Sequence, residues 1–266
     1  VEALPGIIKV VTDPKYFLRN AQQGGKKKAP TQGAAEIFYH GQPIAAVIAE
    51  TFEAATEGAK ALKVTYKDET EDAVIDFEAA LENAHSVNEA EGSDKNHKQG
   101  HPEQGLKESA VSFDQIYHTP SQSNSPMEPH ATLAYWEDGK LIMYTSNQML
   151  SSCKQQVADA LNLDPDNVQL IARYVGGGFG SKLGIAPESI AAAISAKELK
   201  RPVLIVMTRP QVMETTIRRS DTRQRIGIGC DKNGIINTFI HNTVTSNLPG
   251  ESFFEKFFDQ CRLAGS

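Results

Sequence analysis

Chemistry-bearing positions are concentrated in Val175-Gly176-Gly177-Gly178-Phe179-Gly180-Ser181-Lys182-Leu183-Gly184, between an apolar run and a helix-like one. Three adjacent glycines let the main chain pass close to a ligand or take positive φ, and a helix start near Pro187 adds N–H donors and partial positive charge. Such a loop suits an anionic or oxo-bearing ligand. It matches neither common phosphate loop. Counted from Gly176, a P-loop needs glycine at Ser181 and Ser or Thr at Leu183, and dinucleotide fingerprints counted from Gly176 or Gly178 end on Ser181 or Leu183. On spacing alone, a glycine turn that merely lets strand and helix pack accounts for the run equally well.

A second loop, Thr145-Ser146-Asn147-Gln148-Met149, also follows a strand-like run. Ligands of open α/β sheets sit beyond the carboxyl ends of parallel strands, so the Gln148 amide and the glycine loop face one pocket if their strands are neighbours. Other candidates are weaker. Glu128 and His130, in Met127-Glu128-Pro129-His130, have the types of an acid/base pair, but around a proline they diverge, which favours a pocket wall over proton transfer. His40 and His118 stand alone and read as structural or exposed. His85, His97 and His101 lie in a polar stretch with no cysteine or ordered acid beside them and describe no metal cage. Arg218, Arg219, Arg223 and Arg225 suit strand-edge ion pairs better than a phosphate site. The lysines of Gln22–Pro30 read as a solvated face.

The elements that must position these loops follow from periodicity. Ile7–Thr12 and Pro43–Glu50 are strand-like, the second nearly all apolar and therefore expected to be buried. A capping Thr51 opens a helix to Leu62, with Phe52, Ala55, Ala59 and Leu62 on its apolar face, and Lys63–Tyr66 returns as a strand. Residues 83–106 are polar and without period, hence a linker. Beyond it come strands Ala131–Trp136 and Lys140–Ser146, a helix Leu150–Asn162 with Cys153, Val157, Ala160 and Leu161 inward, and strand Val168–Val175. A helix opened by Pro187 runs to Lys200, and strand Val203–Thr208 follows. Two consecutive strand-helix-strand units argue for parallel strands covered by helices. Thr222–Cys230, the turn Asp231–Gly234 and Ile235–Asn247 read as a long antiparallel hairpin.

Composition limits the classes. The 266 residues suffice for about two domains of ordinary size. A 40% hydrophobic and 23% charged composition excludes a disordered or collagen-like chain. The net charge of −6 gives no footprint for nucleic acid. No run reaches the ~18 apolar residues of a membrane span. Cys153, Cys230 and Cys261 are odd in number and far apart, which is neither a disulfide framework nor a zinc pattern.

With Gly176-Gly177-Gly178-Phe179-Gly180-Ser181-Lys182, the Thr145-Ser146-Asn147-Gln148 run and Met127-Glu128-Pro129-His130 in view, the chain resembles the molybdenum-binding subunit of the xanthine dehydrogenase/aldehyde oxidase family. The nearest likeness is to bacterial three-subunit aldehyde dehydrogenases. The resemblance implies an α/β (α+β) chain: a hammerhead-like domain over 1–75, a linker over 76–106, and the first part of a molybdopterin-binding domain over 107–266. It implies a molybdenum–molybdopterin cofactor, in bacteria often the cytosine dinucleotide form, that oxidises aldehydes or aromatic heterocycles with water as oxygen source. Electrons then pass to partner subunits carrying iron–sulfur clusters and FAD. Carried over residue by residue, Gln148 hydrogen-bonds the oxo ligand, while Gly178, Phe179 and Gly180 approach the metal from the loop. Leu183 stands where hydroxypurine-oxidising members place a glutamate, which favours an aldehyde pocket. The family's general-base glutamate has no counterpart before Ser266, so no catalytic residue is assigned within 1–266, and the chain alone is expected to be inactive. The compartment stays open, cytoplasm or periplasm by export with a partner. The competing reading is a non-catalytic module of the same fold that binds a partner subunit or a nucleotide-like ligand.

Overall fold

The computed structural model describes residues 1–17, 36–37, 39–67, 74, 76–84 and 98–246. In chain order they form β1 (Ile7–Val11), β2 (Ala46–Ala49), α1 (Phe52–Lys60), α2 (Phe77–Ala80), α3 (Pro102–Glu108), β3 (Val111–Thr119) and β4 (Gln122–Ser123). They continue as β5 (Ala131–Glu137), β6 (Lys140–Thr145), α4 (Leu150–Leu161), β7 (Val168–Ile171), α5 (Pro187–Leu199) and β8 (Val203–Val206). The last are α6 (Arg209–Thr215), β9 (Arg218–Arg219), β10 (Thr222–Cys230) and β11 (Ile236–Thr245). Two compact units result, one from Val1–Glu69 with Ser123–Arg218, the other from Thr70–Gln122 with Arg219–Asn247.

In the first unit, β1 and β2 pair antiparallel and α1 lies on them. Thr51 caps the helix as its sequence indicates, the hydroxyl accepting from Ala54 N at 3.2 Å. The inward face differs from the expected one. Phe52 is exposed and Gly58 is buried, because a Cβ at Gly58 would stand 2.7 Å from Ile7 Cδ1 and 2.8 Å from Val47 Cγ1. The helix therefore approaches the hairpin through a glycine. Of β2 only Ile48 is buried, since a two-stranded hairpin has one covered face. Lys63–Tyr66 pairs with no described strand and is not β. The lysine loop Gln22–Pro30 lies outside the described residues.

The larger sheet of this unit has the order β7-β6-β5-β8. β6 and β7 run parallel, from Leu141 opposite Val168 to Tyr144 opposite Ile171, so the first strand-helix-strand unit forms as read. The second crosses the sheet. β8 pairs with β5, which is antiparallel to both β6 and β8, so the sheet is mixed and β7 is an edge strand that ends at Ile171 rather than Val175. α5 is buried on nearly every side from Pro187 to Ala196, which its alanine-rich sequence permits. Its Ile190, Ala192, Ala193 and Ala196 join Leu141, Met143, Cys153 and Val157 in the main core. On α4 the buried set is Cys153, Gln156, Val157 and Ala158, with Ala160 and Leu161 only partly covered. A second cluster packs Val11, Tyr16, Phe17 and Ile48 against Ala191. Glu198 on α5 accepts from Lys9 at 2.7 Å, from Lys15 at 3.1 Å and from the Tyr16 hydroxyl, and the Lys9, Tyr16 and Lys15 bonds hold its carboxyl down at about 2.

The second unit holds the hairpin read from the sequence, β10 with β11, and a third strand, β3, on the other side of β10. β3, for which the sequence offers no strand reading, is exposed along all nine of its residues. Pro102–Glu108, which begins inside the stretch read as linker, is helical and buries Leu106, which with Ile240 would stand 3.2–3.4 Å from a Cβ at Gly227. Arg225 forms the expected ion pairs, at 2.7 Å to both Glu103 and Asp114.

Candidate cofactor-binding site

The two loops singled out by sequence leave the carboxyl ends of the neighbouring parallel strands β6 and β7. They are tied together closely. Gln148 N donates to Lys182 O at 2.9 Å, and Gln148 Oε1 accepts from Gly180 N and Lys182 N, both at 3.2 Å. Asn147, buried, donates through Nδ2 to Gly184 O at 3.4 Å and accepts Met149 N on Oδ1 at 2.7 Å. Ile185 N donates to Gln156 Oε1 at 3.2 Å, so α4 also holds the loop.

Because Gln148 Oε1 is occupied by two backbone donors, its Nε2 is turned outward, with no partner among the described residues. The glycines explain how the amide fits. A Cβ at Gly178 would lie 2.4 Å from Gln148 Oε1 and 2.6 Å from Cδ. Gly177, Phe179 and Gly180 have φ of +94°, +52° and +99°, the left-handed region that glycine tolerates and Phe179 occupies at a cost. Phe179 is 68% exposed. The N–H groups of Gly177, Gly178 and Phe179 make no hydrogen bond to described residues. Leu183 is half-buried at the loop's far end, where its N–H donates to Gly180 O at 3.4 Å.

Sequence reading left out the support. The Lys182 side chain is completely enclosed, and its Nζ donates to Glu128 Oε2 at 2.8 Å, to Glu128 O at 3.2 Å and to Ser146 Oγ at 3.0 Å. Glu128 Oε2 also accepts from Ser146 Oγ at 2.6 Å and Gly176 N at 2.7 Å. Burial pushes this carboxyl up, but the bonds from Lys182, Ser146 and Gly176 outweigh it and hold it below the usual range. Glu128 thus acts as an anchor through Oε2. His130, buried, has Nε2 3.1 Å from Ser181 O, and burial pushes its imidazole down. The pair diverges as the intervening Pro129 indicated. The available clue was a lysine flanked by Ser181 and Leu183 in a loop that is no P-loop, with a lone carboxylate upstream. Among the described residues, no group of three or more His, Cys, Asp or Glu is placed to hold a metal ion, and no helix is long and apolar enough to cross a membrane.

The Gln148 Nε2 and the N–H groups of Gly177, Gly178 and Phe179 are donors, with Phe179 exposed, Gly177 half-buried and Gly178 covered by the Gln148 side chain. They fit a group rich in oxo or phosphate oxygens. Two family models match the chain: the molybdopterin cofactor-binding domain over residues 82–253, and the a/b hammerhead domain of aldehyde oxidase and xanthine dehydrogenase over residues 1–70. The chain belongs to the molybdopterin cofactor-binding family of aldehyde oxidases and xanthine dehydrogenases. It is 34% identical over 92% of its length to the aldehyde oxidoreductase molybdenum-binding subunit PaoC of Escherichia coli K12, of which it spans 33%. It is 30% identical over 77% of its length to the xanthine dehydrogenase of Blastobotrys adeninivorans, of which it spans 14%. In fold it is similar to quinoline 2-oxidoreductase of Pseudomonas putida 86, with a TM-score of 0.76 at 22% identity, covering 92% of this chain and 33% of that one. The chain thus spans about a third or less of the relatives it matches.

Proposed function

We propose that the chain contributes the loop side of the cofactor site in a molybdenum hydroxylase that converts aldehydes to carboxylic acids. The balance is RCHO + H2O giving RCOOH, two protons and two electrons, with the electrons leaving to iron–sulfur and FAD subunits. Aromatic heterocycles are the second substrate class. The observation that carries the reading is the orientation of Gln148: two backbone donors hold its oxygen, so its Nε2 is preset to donate outward to an oxo group. Preorganised donors of this kind act where charge develops and need no reorganisation. A molybdenum–pterin group, in its cytosine dinucleotide form, supplies the redox centre. Gln148 and the N–H groups of Gly177, Gly178 and Phe179 would hold it, with Gly180 giving the loop its turn. Leu183, apolar, leaves the pocket side of the loop without a carboxylate and suits an aldehyde. The first relative's described role as a molybdenum-binding subunit of an aldehyde oxidoreductase supports the same reading.

The test is Gln148→Ala in the intact, natively purified enzyme to which the chain contributes, with its partner subunits. Wild type is expected to contain molybdenum and to reduce a dye with an aldehyde. The variant should lose about 10²–10³ in kcat, the magnitude of one lost oxyanion-type donor. Wild-type protein without molybdenum, or a variant with unchanged kcat, overturns the reading.

A further inference from the structure

Beneath the loops that leave β6 and β7, His130, Asn147, Gly184 and Glu188, with the apolar Met143 and Leu170, line a small, partly open cavity. Its free space of about 10 Å³ for the centre of a water-sized sphere is that of a single water. Two buried polar atoms among its lining residues, His130 Nδ1 and Glu188 Oε2, have no partner among the described residues. His130 is 4% exposed and Glu188 7%.

The donor balance is specific. The Ser181 carbonyl can only accept, so His130 Nε2 carries a proton and donates to it, and in the neutral imidazole Nδ1 is then a bare acceptor. On Glu188, Oε1 accepts from Ser189 Oγ at 3.3 Å and lies 3.5 Å from Thr132 Oγ1, while Oε2 has nothing. An acceptor and a carboxyl oxygen, both sealed from solvent, cost about 1–3 kcal/mol each if left unpaired. A species that can donate to one and bond the other removes both costs.

We propose that this cavity holds one ordered water that donates to His130 Nδ1 and hydrogen-bonds Glu188 Oε2. The water completes an unbroken chain from the first turn of α5, through Glu188 and His130, to the Ser181 carbonyl of the glycine loop. A monovalent cation is the poorer occupant, since a bare imidazole nitrogen is one of the two atoms to be satisfied. The proposal stands whether or not the loop holds a molybdenum cofactor, and its test does not use activity.

The experiment is a high-resolution crystal structure of the natively purified protein, with histidine-selective ¹⁵N spectra of wild type, Glu188→Gln and Glu188→Leu. One water peak within hydrogen-bond distance of both atoms is expected in wild type and in the Gln variant. The His130 signals should show the Nε2–H tautomer, with Nδ1 shifted upfield by hydrogen bonding. In the Leu variant the water should be lost and Nδ1 should move downfield. An empty cavity, a direct bond between His130 and Glu188, or an anomalous cation peak overturns the proposal. If the Leu variant does not fold, the wild-type density and the His130 spectrum decide alone.

Discussion

The ammonium of Lys182, fully enclosed, sits 2.8 Å from Glu128 Oε2, and this pair fixes both ends of the glycine loop because the same oxygen accepts Gly176 N. The charge pair thus holds the shape of the loop proposed to meet the cofactor.

Removing the carboxylate should therefore be costly. Glu128→Gln leaves the enclosed ammonium without its counter-charge and is expected to lower stability by about 2–3 kcal/mol, short of the loss for a fully enclosed pair because the Glu128 side chain is 36% exposed. Urea unfolding measures it. Lys182→Met should cost much less when added to Glu128→Gln than when made in wild type, and strict additivity of the two losses would show that the pair is not coupled.

Stability should depend on pH through Glu188. Burial pushes its carboxyl from 4.5 up to about 7, so the folded state holds the proton more tightly than the unfolded one. The contribution is complete below pH 4.5 and is lost as pH rises from there through about 7, a change of about 3 kcal/mol. Glu188→Gln should remove it. Denaturation midpoints of the two proteins should diverge only across that window, and a constant difference from about pH 4 to about pH 8 would rule the effect out.

Gly178→Ala separates folding from function. The new Cβ meets the far end of the Gln148 side chain, 2.4 Å from Oε1, and a flexible side chain can swing away. We expect about 1 kcal/mol of lost stability but a large fall in bound molybdenum, because the amide loses its orientation. Metal analysis alongside thermal unfolding checks this; an unchanged metal content at unchanged stability would mean that Gln148 orientation does not matter.

Gly58→Ala pits two effects of known size against each other. Alanine gains about 1 kcal/mol in helix propensity, while overpacking against Ile7 and Val47, at 2.7 and 2.8 Å, costs about 1–3 kcal/mol. A net loss of about 1 kcal/mol is expected in urea unfolding. A stabilised variant would show that α1 does not lie this close to β1 and β2.

Much of this arrangement was legible. The Thr51 cap, the Pro187 helix start, the β6-α4-β7 unit and the β10–β11 hairpin each rest on local rules of capping, period and turn chemistry. That the glycine loop and the Gln148 loop lie side by side was legible for the same reason, since both follow neighbouring parallel strands. The inward side of α1 was missed because apolar spacing cannot foresee that Gly58 makes the closest contact. β3 escaped because nothing in Val111–Thr119 records that β10 pairs with it. The position of β8 beside β5 escaped too, because a helix crossover fixes strand direction but leaves open which neighbour the strand takes.

The sequence by itself determined the donors: Gly177, Gly178 and Phe179, whose N–H groups bond no described residue, and the Gln148 amide, beyond the carboxyl ends of two strands. Tertiary structure alone decided where those donors point. Orientation came from partners distant in the chain, with Lys182 drawn onto Glu128 across 54 positions and the Gln148 oxygen captured by the Gly180 and Lys182 amides across 32 and 34. Enclosure is the physical reason. Only after packing has removed bulk water from Lys182 do its partners become obligatory, and that removal is a property of the assembled core.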